Sequence, residues 1–299
     1  MINSTLVAFS ESEQTGQKLA SFEWEYPRLI HAEVLTHRVF SRNAGSSRAI
    51  PTASAIELAQ DKMYVPKFRH NQSGMQPGEA LAEDLQAQAE EVWKICAGHC
   101  ITAAEALKEL KVHKQWANRM LEWFSPIKIV VTSTEWDNFL WLRNDEEAQD
   151  EVEILAKQTE KLLLESEPLL VPHDGLHVPY VERRIVDGKL RYFNNGTEID
   201  PVEALQISAS VCAQMSYRKA DDSLNKALCL EEIFMNGRRV HASPWEHQGI
   251  VTDEGVTHRD TQGRWWSGNF CGWSQYRHLI PNNTCTDLGM ARMKEFAGL

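Results

Sequence analysis

The sequence predicts an α+β fold in which long helices pack on an antiparallel or mixed sheet. Two stretches, 79–110 and 147–164, have the residue pattern of long helices, and the first is rich in Ala, Glu, Leu and Gln. Short segments at 5–9, 22–25 and 127–131 alternate apolar and polar residues or are β-branched, which indicates strands. Together these segments predict long helices around an interrupted sheet.

The composition is that of an ordinary globular protein with an acidic balance. The chain has 299 residues, of which 42% are hydrophobic, and a formal net charge of −11. We interpret residues 1–299 as one domain with a joint or insertion at 168–200. No apolar run approaches the roughly 20 residues needed to span a bilayer. No secretory signal opens the sequence, so we expect a cytoplasmic protein.

The first half predicts a helix that leads into a cationic loop. Pro27 suits the first turn of a helix, and the apolar stripe that follows it gives this helix a face to bury. The helix ends with His37 and Arg38, and a loop rich in Arg and Ser is expected at 42–48. After an irregular stretch, further helices are expected at 79–110, 113–124, 134–143 and 147–164.

The second half begins with a segment of different composition. Residues 168–200 contain Pro, Gly and Asn, and Asp187-Gly188 predicts a hairpin turn. Two helices are expected at about 202–217 and 221–236, and Gly237 is expected to end the second. Strand-like segments follow at 248–252 and 268–275.

The stretch Thr36–Arg48, the arginine segment, concentrates cationic and hydroxyl side chains. It contains three arginines, three serines, a histidine and an asparagine. Guanidinium groups combined with serine hydroxyls and loop amides are typical of a phosphate or carboxylate site. One local cluster in an acidic chain predicts one bound anion, and not a surface with general affinity for nucleic acid. Taken alone, a solvated basic loop explains the same residues about as well.

Several common cofactor and catalytic motifs are absent from the sequence. It contains no GxGxxG, GxxxxGK, GxSxG or HExxH pattern. Six scattered cysteines without a CxxC pair predict reduced thiols. Cys96, His99 and Cys100 are spaced so that they could share a metal on one helix. Buried or half-buried helix residues are the simpler interpretation, and we predict no metal site.

Several segments together resemble the flavin-dependent thymidylate synthases. His37-Arg38 followed by seven residues and Ser46 is similar to the family signature, which is Arg-His-Arg followed by seven residues and Ser. Further matches lie at Ser41, Asn43 and Arg48, and in the segments 118–121, 138–143 and 148–152.

Two more family segments occur in a displaced order. The stretch 241–247, His-Ala-Ser-Pro-Trp-Glu-His, resembles a family segment that precedes the arginine signature. The stretch 213–217, Ala-Gln-Met-Ser-Tyr, resembles a still earlier flavin-contacting segment. Because both follow the signature here, the chain is predicted to be circularly permuted, with 168–200 as the new joint. The family's second half would occupy about 20–165 and its first half about 205–280.

The resemblance implies a reaction and a set of ligands. It implies reductive methylation of dUMP at C5 to dTMP by a homotetramer, with FAD as cofactor and with NADPH and methylenetetrahydrofolate as co-substrates. The implied FAD contacts are His37, Arg38, Asn138, Ser216, His241, Ser243 and Glu246. The implied nucleotide contacts are Glu33, Ser46, Ser47, Arg48, Arg119 and Arg143. The implied catalytic residues are Arg143, Arg48 and Ser46, and Arg143 would stabilise negative charge that develops on the pyrimidine ring.

The chain departs from the family pattern at several positions. Thr36 replaces the first arginine of the signature, and Thr132 and Thr134 stand where the family has a flavin-binding asparagine and arginine. Glu33 stands in the place of a uracil-binding glutamine, and Ala44 in the place of a glutamate. Candidates to supply missing flavin contacts are Gln275, Arg277 and His278, although a strand-end arginine is the plain alternative.

Other interpretations stay open at the level of sequence. A flavoenzyme of this fold could modify C5 of another pyrimidine nucleotide or of a pyrimidine in DNA, and a non-catalytic nucleotide-binding protein could keep the same fold. His241 and His247 could be capping or core residues, and Arg143 could be a charge at a helix C-terminus.

Overall fold

A five-stranded mixed sheet organises the protein. The computed structural model describes residues 2–217, 219–235, 240–281 and 283–284. The sheet has the order β3-β4-β2-β1-β5, and its neighbours are antiparallel except for the parallel pair β1–β5. Its strands are β1 (Asn3–Ser12), β2 (Lys18–Pro27), β3 (Ser41–Ala44), β4 (Pro126–Ser133) and β5 (Leu169–Val171). The predicted α+β class with a mixed sheet is confirmed.

The helices agree with the strongest sequence patterns. They are α1 (His31–Val34), α2 (Thr52–Asp61), α3 (Glu83–Glu109), α4 (Lys114–Ala117), α5 (Asp137–Arg143), α6 (Asp150–Glu165), α7 (Pro201–Ala213) and α8 (Leu224–Met235). Short 3-10 helices lie at Arg28–Ile30, Asn118–Phe124, Ser243–Glu246 and Tyr276–Leu279. A capping box of Asp200 and Glu203, with Pro201 at the first helical position, starts α7. None of the helices in the described residues is long and apolar enough to cross a membrane.

Beside the central sheet, the described residues form three small sheets. Their strands are β6 (Leu176–His177), β7 (Glu182–Val186), β8 (Lys189–Asn194), β9 (Thr197–Ile199), β10 (Gly249–Ile250), β11 (His258–Arg259), β12 (Trp265–Ser267), β13 (Phe270–Cys271) and β14 (Ser274–Gln275). They pair in the orders β7-β8-β9, β14-β10-β6 and β11-β12-β13. The turn predicted at Asp187-Gly188 joins β7 to β8, and both residues have the positive φ that such a turn requires.

The helix predicted after Pro27 is wrong in extent. Pro27 is the last residue of β2, opposite Pro126 of β4, at a position where the ladder needs no further N–H donor. Only a 3-10 turn and the four-residue α1 follow. Arg42 Nη1 donates to the carbonyl oxygens of Leu35 (2.8 Å) and His37 (3.3 Å), so its guanidinium satisfies backbone groups where the helix stops.

Other boundaries also differ from the sequence predictions. The loop predicted at 42–48 begins as β3, because β4 offers it an open edge to pair with. The helix predicted at 113–124 is α4 followed by a 3-10 helix, and the strand predicted at 268–275 is divided at Gly272, whose φ is +67°. The helix α2 was not predicted, and the predicted stop at Gly237 lies outside the described residues.

The central sheet separates two hydrophobic layers. Along β4, Ile129 and Val131 face the cluster that includes α5 and α6, whereas Val130 faces the cluster that includes α7. Trp24 of β2 is fully buried in the first cluster and packs against Phe139 of α5, with ring centroids 5.4 Å apart. The sheet therefore fixes β3 and α5, which carry candidate site residues, relative to each other.

Leu155→Ala is expected to lower the free energy of unfolding by about 2–5 kcal/mol, because Leu155 is fully buried between α6 and the sheet. Leu164→Ala removes the same atoms from the same helix, where the side chain is 81% exposed, and is expected to change stability by less than about 0.5 kcal/mol. Urea unfolding of both variants measures the difference. Equal effects would contradict the assignment of this face of α6 to the core.

Candidate functional site

The arginine segment contacts both displaced motifs. The Nδ2 amide of Asn43 donates to the Ser243 carbonyl oxygen at 3.3 Å. The backbone N–H of Ser46 donates to the Ser216 hydroxyl at 2.8 Å. The two partners lie in the stretches 241–247 and 213–217. Residues that are about 170 and 200 positions apart in sequence therefore meet at one place.

His37 and Arg143 form the centre of one cluster. Arg143, the last residue of α5, donates from Nε to His37 Nε2 at 2.9 Å, and its Nη2 lies 3.4 Å from Thr36 Oγ1. Burial, with Arg143 and Arg42 nearby, lowers the pKa of His37 to about 4. Because the imidazole is neutral and accepts at Nε2, its proton is on Nδ1. The edge of the Arg143 guanidinium that carries Nε and Nη2 therefore faces His37 and Thr36, which orient the group.

Glu33 and Arg143 line the same cavity, which has a volume of about 1140 Å³. The Oε2 atom of Glu33 is buried and has no hydrogen-bond partner among the described residues. A carboxylate oxygen accepts hydrogen bonds and cannot donate when ionised. The cavity therefore combines a cation that is already oriented with an acceptor that is not yet satisfied.

A second cavity of about 450 Å³ is lined by Ser46, Ser47 and Ser216. Ser47 donates to Glu122 Oε1 at 2.6 Å, and Arg28 Nη2 donates to the Gly45 carbonyl oxygen at 3.0 Å. These bonds fix the backbone of the arginine segment.

Asn118 and Glu122 also line this second cavity, and both contact residues of the arginine segment. Asn118 Nδ2 donates to the Ser47 carbonyl oxygen at 2.7 Å, while its own Oδ1 is buried without a partner among the described residues. Arg119, a predicted nucleotide contact, is exposed and pairs with Glu122 at 3.2 Å. Arg28 and Glu122 were not predicted, because they lie outside the signature.

Arg38 lines a third cavity, of about 460 Å³, together with residues of β11 and β12. Its guanidinium is exposed and makes no hydrogen bond or ion pair within the part of the chain that the structure describes. The rings of His258 and Trp266 stack beside it, with centroids 5.9 Å apart and an angle of 11° between planes. Arg264, by contrast, is paired with Asp260 at 2.8 Å.

The side chains of this third cavity have the chemical character that a dinucleotide cofactor such as FAD requires. An unpaired guanidinium suits a diphosphate, and aromatic faces suit a planar ring. The fit is carried by Arg38 and by the stacked pair His258–Trp266. Neither member of that pair was predicted, and both lie beyond the motifs that the sequence offered.

The other predicted flavin contacts are placed less uniformly. Glu246 is ion-paired with Arg277, and Gln275 Nε2 donates to the Glu246 carbonyl oxygen at 2.8 Å. Gln275 and Arg277 thus both contact Glu246 of the displaced motif. Direct contact of Gln275, Arg277 or His278 with a flavin stays a prediction. Like Arg38, four predicted residues are exposed and make no side-chain hydrogen bond within the described residues: Arg48, Asn138, His241 and Ser243.

The predicted site residues therefore fall into separate groups within one chain. Glu33 and Arg143 line the first cavity, where His37 is bonded to Arg143. Ser46, Ser47 and Ser216 line the second, and Arg38 lines the third. Sequence order could not separate these groups, because the arginine segment contributes to all three regions.

The five cysteines in the described part of the chain do not form a recognisable centre. Cys96 is exposed and Cys100 is half-buried on α3. Across the described residues, no group of three or more His, Cys, Asp or Glu side chains could hold a metal ion. Burial raises the pKa of the Cys100, Cys212 and Cys271 thiols, the opposite of what an activated nucleophile requires.

A match to a known protein family establishes the family of this chain. Residues 16–169, just over half of the sequence, match the family described as thymidylate synthase complementing protein. The chain belongs to this family. The resemblance to flavin-dependent thymidylate synthases is thereby confirmed. The matched residues include the arginine segment, Arg119 and Arg143 but not the displaced motifs, so the permutation stays a prediction.

Solved structures include similar folds. A UMP/dUMP methylase PolB from Streptomyces cacaoi, bound with 5-Br UMP, aligns with a TM-score of 0.46 and 15% identity over 55% of this chain and 88% of that one. The flavin-dependent thymidylate synthase ThyX from Helicobacter pylori, complexed with FAD and dUMP, aligns with a TM-score of 0.33 and 19% identity over 48% of this chain and 67% of that one. No curated protein matches the sequence.

Proposed function

We propose that this family member is a cytoplasmic FAD-dependent enzyme that methylates dUMP at C5 to give dTMP. The carbon would come from methylenetetrahydrofolate and the two reducing electrons from NADPH. The observation that carries the proposal is the contact of the arginine segment with both displaced motifs, at Ser46–Ser216 and at Asn43–Ser243. Family membership alone would leave the two halves of the site unconnected.

The residues of the chain would divide the work. Bound FAD would supply hydride transfer to the pyrimidine-derived intermediate. Arg143 would stabilise negative charge on the pyrimidine ring, because His37 orients its guanidinium at the rim of the Glu33 cavity. The nucleotide phosphate would bind Ser46, Ser47, Arg48 and Arg119. The FAD contacts would be Arg38, His37, Asn138, Ser216, His241, Ser243 and Glu246.

We also propose that copies of the chain complete the site as a homotetramer. Within one chain the candidate residues line three separate cavities. In the assembly, residues of one copy would contact a ligand that is bound in a cavity of another copy, so that each complete site would contain residues from more than one copy. Large apolar side chains are exposed next to two of the predicted nucleotide contacts: Trp116, Met120 and Trp123 near Arg119, and Trp141 and Leu142 before Arg143. Native mass spectrometry of the purified protein tests this assembly, and a monomer at micromolar concentration would contradict it.

A direct experiment tests the reaction. The purified protein is expected to be yellow and to release FAD on denaturation, as identified by mass spectrometry. It should oxidise NADPH when dUMP is added and form dTMP only when methylenetetrahydrofolate is also present. Omitting each component in turn is the control. A protein that binds no FAD and has no flavin-dependent turnover would contradict the proposal.

The unpartnered carboxylate oxygen of Glu33 favours a second candidate substrate. Glutamine both donates and accepts, whereas ionised glutamate only accepts. A pyrimidine nucleotide that presents an additional donor, such as a cytosine amino group or a ribose 2′-hydroxyl, would satisfy the buried Oε2 atom. Turnover of dUMP, UMP and dCMP measured side by side discriminates the two candidates. If dUMP neither binds nor reacts while FAD is bound, the second candidate replaces the first.

A further inference from the structure

A network of hydrogen bonds runs from the half-buried Arg183 through buried side chains to His247. Arg183 Nη1 donates to the Ser10 hydroxyl, which lies 2.7 Å from His177 Nδ1. On the other side of the imidazole, His177 Nε2 lies 2.8 Å from the Ser21 hydroxyl. The network continues through Thr132, whose Oγ1 is 2.6 Å from Ser21 Oγ and 2.9 Å from His247 Nδ1. We call this the Arg183–His247 network, and its members are Arg183, Ser10, His177, Ser21, Thr132 and His247.

The network joins parts of the chain that the family match does not connect. His177 lies in β6 and Arg183 in β7, both beyond residue 169, where the match ends. Ser21 and Thr132 are paired across β2 and β4 of the central sheet. His247 follows the 3-10 helix Ser243–Glu246 in the displaced motif. The predicted joint 168–200 thus contributes side chains to the interior.

The cation at one end gives the network a direction. A guanidinium can only donate, so Ser10 accepts from Arg183 and has its single hydroxyl hydrogen available for His177 Nδ1. His177 must then carry its proton on Nε2 and donate to Ser21. The same reasoning passes through the Ser21 and Thr132 hydroxyls, each of which accepts once and donates once. His247 therefore accepts at Nδ1 and carries its proton on Nε2.

The opposite direction leaves more buried groups unsatisfied. His177 would donate from Nδ1 to Ser10, and the Ser10 hydroxyl hydrogen would have no acceptor, although the residue is fully buried. His247 Nε2, which has no partner among the described residues in either case, would become an unsatisfied acceptor. The first direction leaves one unsatisfied buried group and the second leaves two, so the first is the more stable arrangement.

Both imidazoles are neutral in this arrangement. Burial lowers the pKa of His177 well below its usual value, with further contributions from Arg183 and His247. Burial alone lowers the pKa of His247 to about 3. A doubly protonated His177 would also place a second donor on the Ser10 hydroxyl, which already accepts from Arg183.

We propose that Arg183 and His177 are positioning residues that fix His247 as the tautomer with its proton on Nε2. Through Thr132, they hold the end of the Ser243–Glu246 turn against the central sheet. Thr132 stands where the family has a flavin-binding asparagine, and its hydroxyl is fully used by Ser21 and His247. The substitution therefore exchanges a ligand contact for an internal support of the neighbouring motif.

The tautomer assignment is tested on the ligand-free protein by ¹⁵N NMR of its histidine side chains. In the wild type, His177 and His247 are each expected to show a protonated Nε2 and an unprotonated Nδ1. The spectra of the single variants His177→Gln and His247→Asn provide the assignments. A wild-type His247 with its proton on Nδ1 overturns the proposal.

Removal of the cation tests the cause of this direction. Arg183→Met is expected to shift the ¹⁵N resonances of both histidines towards a mixture of tautomers, whereas Arg183→Lys keeps a donor and is expected to preserve them. Arg184→Met is the matched control, because Arg184 is exposed and pairs with Glu182 on the surface. If Arg183→Met leaves the tautomers unchanged, Arg183 does not set the direction and the proposal fails. If that variant does not fold, the wild-type spectrum and Arg183→Lys still decide.

The effect on the flavin motif rests on the proposed function and has a separate readout. His177→Leu is expected to weaken FAD binding about tenfold, the equivalent of roughly one hydrogen bond. His177→Gln retains an amide donor towards Ser21 and is expected to stay within about threefold of the wild type. Equal losses in both variants would overturn the supporting role of the network. A wild type that binds no FAD would refute the proposed function while the NMR result still decides the tautomer.

Discussion

Arg143→Ala is expected to lower kcat/KM for the nucleotide by about 10²- to 10³-fold, with most of the loss in kcat. A donor that stabilises charge in a transition state is typically worth this much when it is oriented in advance and shielded from water. His37 provides the orientation, since its neutral Nε2 accepts from Arg143 Nε at 2.9 Å. The measurement is dTMP formation under saturating NADPH and methylenetetrahydrofolate.

Two further variants distinguish a specific role of Arg143 from a general effect of losing a positive charge. Arg191→Ala removes an exposed guanidinium that pairs with Glu198 at 2.9 Å, far from the arginine segment in sequence, and is expected to leave both constants unchanged. Arg143→Lys keeps the charge but not the planar Nε–H that meets His37, so it should recover little activity. A rise in KM with an unchanged kcat would make Arg143 a substrate clamp without a role in the chemical step.

Local patterns in the sequence were sufficient for the fold class and for the larger helices. The long pattern at 79–110 corresponds to α3, and that at 147–164 corresponds to α6. Both helices have an apolar stripe that is buried against the rest of the protein. The helix expected after Pro27 failed for a tertiary reason. On one side β4 pairs with β2 as far as Pro27, and on the other side it pairs with β3. Local helix propensity carries no information about either pairing.

The candidate site shows the same division between local and tertiary information. Contiguous motifs identified the arginine segment and the displaced stretch 241–247. The residues that hold them in place come from elsewhere, and nothing in their local sequence marks them. Arg28 is one example, because it follows a strand end and supports Gly45. His177 is another, because its segment was interpreted as a joint.

The departures from the family pattern are easier to understand with the contacts known. Thr36 cannot supply a guanidinium, yet its hydroxyl lies 3.4 Å from Arg143 Nη2, so the position still contributes to the orientation of Arg143. Thr132 is fully buried and bonded on both sides. Both threonines have therefore become parts of the protein's internal support, and ligand contacts have to be supplied by other groups.

Acidification from pH 7 to pH 5 is expected to destabilise the protein, chiefly through its buried histidines. The pKa values of His31 and His37 are lowered to about 4 by burial and neighbouring arginines, and that of His247 is lowered to about 3 by burial. In the unfolded chain a histidine has a pKa near 6.5. Between about pH 6.5 and pH 4 the unfolded state therefore binds more protons than the folded state, and the free energy of unfolding falls as the pH falls.

His247 allows the size and sign of this effect to be isolated. It is fully buried, so each pH unit between its two pKa values changes the free energy of unfolding by about 1.4 kcal/mol. From pH 6.5 to pH 5 this amounts to roughly 2 kcal/mol, above the range where most carboxylates titrate. His247→Asn keeps an acceptor for Thr132 but cannot titrate, so urea unfolding at pH 7 and pH 5 should show a smaller loss for this variant than for the wild type. His70→Asn, at an exposed position, is the control and should lose as much as the wild type. An unchanged loss in His247→Asn would contradict the lowered pKa of His247, because its removal leaves the pH dependence as it was only if that pKa is the same in the folded and unfolded states.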